Sequence, residues 1–476
     1  MALQQSRLLW QLRLFVAVLP GALVIFAGLL AYSLAIQDPE LDFGKKPLLI
    51  TTVAGLAVAC LGYIIHRKAF VDSATTGRQY ERTALFALTC VVVFPAVLML
   101  GLDEVMEAGM WFSAPRPLLI MRPNSTEAYQ TAEFSFTATT NSLGFRDREI
   151  DLARKRAFRV LAIGDSFTSG WGVGEDEAWP KVVERRLRAQ GLEIEVINLG
   201  CPGAGPDAYA DVAESIIPLC SPDLVIVGVL QGIDLKLLTI GPTSDRLYQS
   251  KVADRLRQRQ LWSRALLPGL SEFLIRRESH RSVNVSAEEN RESWRKMTDW
   301  MARRLTPGET QRFNALDEQV KTMYRAGDLS PWEVYFALKY PDYLSFALQS
   351  DSDDVQVSAR ALTWYLSQIQ SAADEVKART IVLSIPPAWY FSPRALASKR
   401  KVGYRLDDKA LDSTAPDELI RSACQEAGIE CLSYRDRFRK IGSEEVWFYD
   451  FDGMYNAKGH AILGEEVAKS LSGLIH

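Results

Sequence analysis

Two kinds of hydrophobic pattern follow one another along the chain, with the change at about residue 105. Before it, residues 14–36, 47–65 and 83–102 each run about 20 residues without an acidic or basic side chain, long enough to cross hydrocarbon as helices. Three transmembrane helices are therefore expected over residues 1–105. A polar, strand-poor stretch, 106–157, reads as a connector. From Phe158 onward short apolar runs alternate with amphipathic ones. RVLAIG (159–164), IEVINLG (194–200), DLVIVGVL (223–230) and TIVLSIP (380–386) predict strands, and their alternation with helical segments predicts a parallel α/β sheet. EAWPKVVERRLRAQG has helical spacing, with a stripe at Trp179, Val182, Val183 and Leu187 to pack on the sheet, and DAYADVAESIIPLC is a second helix. A long insertion, about 235–375, carries Trp and Leu at helical spacing and charges of alternating sign, which predicts a helical subdomain with a solvated outer face.

Charge places these parts. Arg7 and Arg13 precede the first span, Asp38, Glu40 and Asp42 with Lys45 and Lys46 follow it, and Arg67, Lys68, Arg78 and Arg82 fill the loop between the second and third. Lys and Arg beside spans stay cytoplasmic, so the amino terminus is expected inside and the main domain outside the cytoplasmic (inner) membrane, in a periplasm or its equivalent. A cleaved signal peptide would account for the first segment alone. Over 476 residues the net charge is −3, which leaves no footprint for nucleic acid; the membrane is the partner the composition requires.

Cysteine usage adds little chemistry. Of six, Cys60 and Cys90 sit inside expected spans as small packing residues. Cys201 and Cys220 flank a predicted helix. Cys424 and Cys431, in RSACQEAGIECLSY, lie across a helix end, a Gly turn and a short strand that can bring them together as a local disulfide or leave them as free thiols. No CxxC pair or His-rich cluster suggests a metal, and no cofactor is expected.

The chemistry-bearing stretch is VLAIGDSFTSGWGV at 160–173. An apolar run stops at a Gly-Asp-Ser turn and hands over to a helix, leaving the Ser166 hydroxyl at the carboxyl edge of the sheet, where open α/β folds keep their sites. A working nucleophile needs a base within reach and donors for an oxyanion. The competing reading makes Ser166 a small residue demanded by a tight turn, its hydroxyl capping the helix.

NSLGFRD upstream, IGDSFTSGWGV, VINLGCPGAG, PDLVIVGVLQGID and the late DGMYNAKGHAILGEEVAKSL together resemble, in that order, the SGNH/GDSL hydrolase superfamily. The resemblance covers roughly 140–235 and 378–474, and neither the spans nor the insertion. It implies a three-layer, flavodoxin-like parallel sheet within an SGNH-type domain over 158–476. It makes Ser166, beside Asp165, the nucleophile, with its own N–H and that of Gly200 as oxyanion donors. Two blocks depart from the family's pattern. Gln231-Gly232-Ile233-Asp234 stands where Gly-Asn-Asp is usual, so Ile233 replaces the Asn donor. Asp452 is followed by Gly453 and Met454, and alignment through Asn456 and Gly459 puts Met454 where the base His belongs. Losing a triad member typically costs about 10⁴-fold or more, and an oxyanion donor about 10²- to 10³-fold. Of the four histidines, His460 at the family's trailing position and His280 in the insertion are the candidate displaced bases, whereas His66 lies beside the membrane on the cytoplasmic side and His476 is the last residue. Asp450 and Asp452 could form a carboxylate pair.

Membrane-anchored members of this superfamily often act on acylated envelope glycans, as esterases or as acetyl-transfer partners of membrane acyltransferases. The leading expectation is a degenerate SGNH domain that keeps its cleft, serving as a glycan-binding or complex-forming membrane subunit. An active serine esterase or O-acetyltransferase with a displaced base and a purely structural membrane-complex subunit stay open beside it.

Overall fold

The computed structural model describes residues 121–152, 157–240, 282–441 and 446–473. The three expected spans, and His66, His280 and His476, lie outside the described residues. Among those described, no helix is long and apolar enough to cross a membrane.

Five strands, β3 (Phe158–Gly164), β4 (Ile194–Gly200), β5 (Leu224–Leu230), β7 (Arg379–Ile385) and β8 (Glu430–Ser433), form one parallel sheet in the order β4-β3-β5-β7-β8. Their central positions are buried on both faces, as continuous Val/Ile/Leu runs require of a parallel sheet covered twice. Four of the five coincide with the predicted runs. The edge strand β8 is short and only half-buried, so its ECLS has no such run to show.

Helices cover both faces. On one lie α2 (Trp179–Ala189) and the final helix α13 (Ala457–Ser472), and the expected stripe of Trp179, Val182, Val183 and Leu187 is buried there. On the other lie α3 (Pro206–Cys220), α9 (Asp353–Glu375) and α11 (Ala415–Ala427). The short α1 (Ser166–Ser169) follows β3, α4 (Ile233–Ile240) follows β5, α10 (Pro393–Val402) follows β7, and α12 (Arg435–Ile441) follows β8.

Two boundaries differ from expectation. The connector is not strand-poor: β1 (Thr126–Gln130) and β2 (Ser135–Thr139) form an antiparallel hairpin, joined in parallel by β6 (Asn284–Val285) from the insertion. Its inward residues are few, Phe136 and Ala138 with Phe134 at the turn, so the strands carry too little apolar pattern to stand out. Nor does the insertion extend to 375. α9 is the crossover helix between β5 and β7; Val355, Leu362, Leu366, Ile369 and Ala373 bury it in the sheet's second face. Its outer face exposes Val357 and Trp364, which made it look like its neighbours. The described part of the insertion proper is helical apart from β6: α5 (Ala287–Ala302), α6 (Pro307–Asn314), α7 (Glu318–Ala326) and α8 (Pro331–Lys339), opened by capping boxes at Ser286 and Thr306.

Candidate active site

Ser166 opens α1 at the carboxyl end of β3 and is half-buried. The turn is held by Asp165, whose carboxylate accepts the Phe167 N–H at 2.9 Å as N-cap. Burial pushes the Asp165 carboxyl up to about 7 against the pull of those backbone donors. Capping is thus the task of Asp165, not of Ser166, whose hydroxyl points elsewhere: its Oγ donates to Met454 Sδ at 3.7 Å.

That contact sets the chemistry. A thioether sulfur is a weak hydrogen-bond acceptor and no proton acceptor at physiological pH. Met454 is half-buried and packs on the same apolar cluster as Ile233, the first residue of α4. Both positions where the resemblance implies a polar catalytic group are therefore extensions of the core.

His460, the one histidine among the described residues, is buried in the first turn of α13. Its Nδ1 accepts the Trp179 N–H at 3.3 Å, taking up a free amide at the start of α2. Burial, then the charge of Arg146, lowers it to about 3, so it stays neutral. It is a packing residue that joins α13 to α2.

Gly200 closes β4 opposite Gly164. A Cβ there would lie 2.1 Å from the Ser169 amide nitrogen, so the close approach of α1 to the strand end demands glycine. Its N–H is donated to Asn198 Oδ1 at 3.0 Å rather than left for an oxyanion. Gly232 turns β5 into α4 at φ 83°, beside the Tyr390 hydroxyl, which donates to Leu344 O. Asp234 is buried, accepting Leu230 N–H at 2.9 Å and the Tyr209 hydroxyl, and so fixes the end of β5.

Asp452 lies two residues from Met454 among charges of three other elements. Lys399 of α10 donates to Glu333 Oε1 of α8 (2.5 Å) and to the carbonyls of Phe451 (3.0 Å) and Asp452 (2.8 Å). Glu133 of the hairpin accepts the Asp452 N–H at 2.9 Å. The Asp452 Oδ1 has no partner. Burial, then Glu333, drives its carboxyl up to about 7. Asp450 instead pairs bidentately with Arg394 at 2.7 and 2.5 Å, so the two acids do not form a carboxylate pair with each other. Through Glu333, which accepts from Lys399, and Leu344, which accepts from Tyr390, the insertion and the segment after it reach the loops at the Ser166 edge.

The role of NSLGFRD was missed at the sequence level. Buried Arg146 donates to Ser169 O (3.1 Å), Gly170 O (2.5 Å) and Val173 O (2.5 Å), clamping the chain that leaves Ser166. Asp147 accepts Asn198 N–H at 2.6 Å and pairs with Lys181 Nζ at 2.6 Å, which bolts the end of β4 in place. Nothing local announces this, because most of the partners are backbone groups far along the chain.

Residues 162–269 match the GDSL-like lipase/acylhydrolase family. No curated protein matches the sequence. Among solved structures, the chain is similar to TesA (10% identity, TM-score 0.32, covering 66% of this chain and 99% of that one). It is also similar to the acetyl xylan esterase AlAXEase (9% identity, TM-score 0.32, 66% and 98%). A third is the psychrotrophic esterase EstA from Pseudoalteromonas sp. (10% identity, TM-score 0.30, 67% and 98%). Likenesses this distant leave the chemistry to be argued from the residues.

Proposed function

Because the α/β domain of this chain belongs to the SGNH/GDSL hydrolase superfamily, we propose that its Ser166 cleft keeps the family's frame without its hydrolytic chemistry. In this reading the protein is a subunit of the cell envelope, held at the cytoplasmic membrane by the apolar segments before residue 105, that binds a glycan or assembles with a membrane acyltransferase or other membrane proteins. The observation that carries it is the Ser166 Oγ to Met454 Sδ contact of 3.7 Å. A serine hydroxyl of high intrinsic pKa there meets a group that cannot take its proton, while His460 is spent on Trp179. The active-enzyme reading needs a base from elsewhere, and His280 is its surviving candidate.

Hydrolysis of a small acetyl ester tests it. The wild-type protein should turn over no faster than Ser166→Ala, and clear Ser166-dependent turnover overturns the proposal; loss of that turnover in His280→Ala would then name the base. For the placement, protease added to right-side-out cells should cleave within residues 282–441, and protection of that region reverses the topology.

A further inference from the structure

We propose that Cys431 and Cys424 form a thiol–disulfide exchange site, in which half-buried Cys431 attacks an external disulfide and fully buried Cys424 resolves it, stapling the end of α11 to the edge strand β8. The turn between them brings the thiols together. Cys424 O accepts the Ile429 N–H at 2.9 Å, Gly428 adopts φ 71°, and the chain returns along α11 as β8. Cys431 packs against the cluster that contains Cys424. Both are free in this structure.

The pair is chemically asymmetric. Cys431 is half-buried and Cys424 fully buried, so Cys431 is the thiol that an external disulfide can reach, and the neighbouring Cys424 pulls it below the ordinary thiol range against burial. The neighbouring Cys431 and burial push the Cys424 thiol up. Burial pushes Cys201 to about 12 and, against the nearby Arg159, Cys220 to about 11; both are buried packing residues. The location has a structural consequence. α11 also carries Asp417, whose Oδ1 accepts from Gln231 Nε2 (2.9 Å), Ser384 Oγ (2.7 Å) and Ser433 Oγ (2.7 Å), so a staple on this helix fixes the element that holds the end of β5.

The chemistry balances with glutathione disulfide as oxidant. The Cys431 thiolate attacks one of its sulfurs, the S–S bond breaks, and one glutathione thiolate leaves. Cys424, giving up its proton, then attacks the Cys431 sulfur of the mixed disulfide and expels the second glutathione. Two protein thiols lose two electrons, and one glutathione disulfide becomes two glutathiones.

The full chain, reduced and then exposed to glutathione disulfide, should be quenched with iodoacetamide and digested with trypsin, which releases Ser422–Arg435 with both cysteines in one peptide. The wild type should give that peptide unalkylated and lighter by two hydrogens. Cys424→Ser should instead accumulate a stable glutathione adduct on Cys431, and Cys431→Ser should leave Cys424 unmodified. A persistent adduct on Cys431 in the wild type, full alkylation of both thiols, or equal labelling of Cys424 in Cys431→Ser overturns the proposal.

Discussion

Around Ser166 the cleft has two corners, and they differ in how polar groups are used. At the β3 corner Asp165 caps α1, Arg146 clamps three carbonyls beyond it, and Asp147 with Lys181 braces the neighbouring strand end. At the opposite corner Met454 and Ile233 present apolar side chains continuous with the core, and the nearest acid, Asp452, faces Lys399, Glu333 and Glu133 rather than an imidazole. Scaffolding that orders a nucleophile and groups that activate one are therefore separable. In this chain the former is built from buried hydrogen bonds and an ion pair, and at the positions of the latter stand Met454 and Ile233, packed on the apolar cluster.

The largest effect should come from refilling the second corner. Met454→His with Ile233→Asn should raise Ser166-dependent hydrolysis of an acetyl ester by about 10⁴-fold or more, since each change returns a group that acts in the transition state. An unchanged rate in a folded double variant would mean that the first corner is also unfit. Next, Arg146→Met should lower stability by at least about 3 kcal/mol in denaturant unfolding, because it strands several buried carbonyls at once. A cost under about 1 kcal/mol would deny the clamp its role.

These two corners were unequally legible. The β3 corner announces itself as VLAIGDSFTSG because a buried strand needs a continuous apolar run and the turn needs small residues, and Met454 and Ile233 stood out as departures from that frame. Arg146 and Asp147 could be matched as a motif but not given a task, since their partners are mostly main-chain atoms that sequence does not display. The Lys399, Glu333 and Glu133 cluster was invisible for another reason: three separate elements supply it, and each residue alone reads as an ordinary surface charge. His460 sits in the first turn of α13, and its depth and its bond to Trp179 decide that it is no base. In α9 the exposed Trp364 outweighed a buried stripe that belongs to the sheet.

A smaller, pH-dependent effect sharpens the second corner. Asp452 in the fold titrates near 7, raised first by burial and then by Glu333, against about 4 in an unfolded chain. A carboxyl raised in this way favours the fold when protonated, so its contribution is whole below about pH 4 and is lost as pH rises toward 7. Asp452→Asn should therefore become progressively more stable than wild type between those limits, by on the order of 2 to 4 kcal/mol at pH 7, and level off above. Asp165 is shifted in the same direction, so part of the decline should persist in the variant. A constant difference from pH 4 to 8 would place the Asp452 carboxylate in a solvated site. The smallest effect belongs to His460→Gln: about 1 to 2 kcal/mol of stability for the Trp179 bond and no change in serine reactivity. Because His460 is held neutral, stability tied to it should fall as pH drops below about 6.5, and this decline should vanish in the Gln variant.

The central claim, that Ser166 is positioned but not activated, is tested most directly by the rate at which a fluorophosphonate forms an adduct on Ser166, followed by mass spectrometry of the intact protein at neutral pH. Wild type should label no faster than Ser166→Ala, while Met454→His should gain an adduct that maps to Ser166. Rapid, stoichiometric labelling of Ser166 in the wild type would contradict the account.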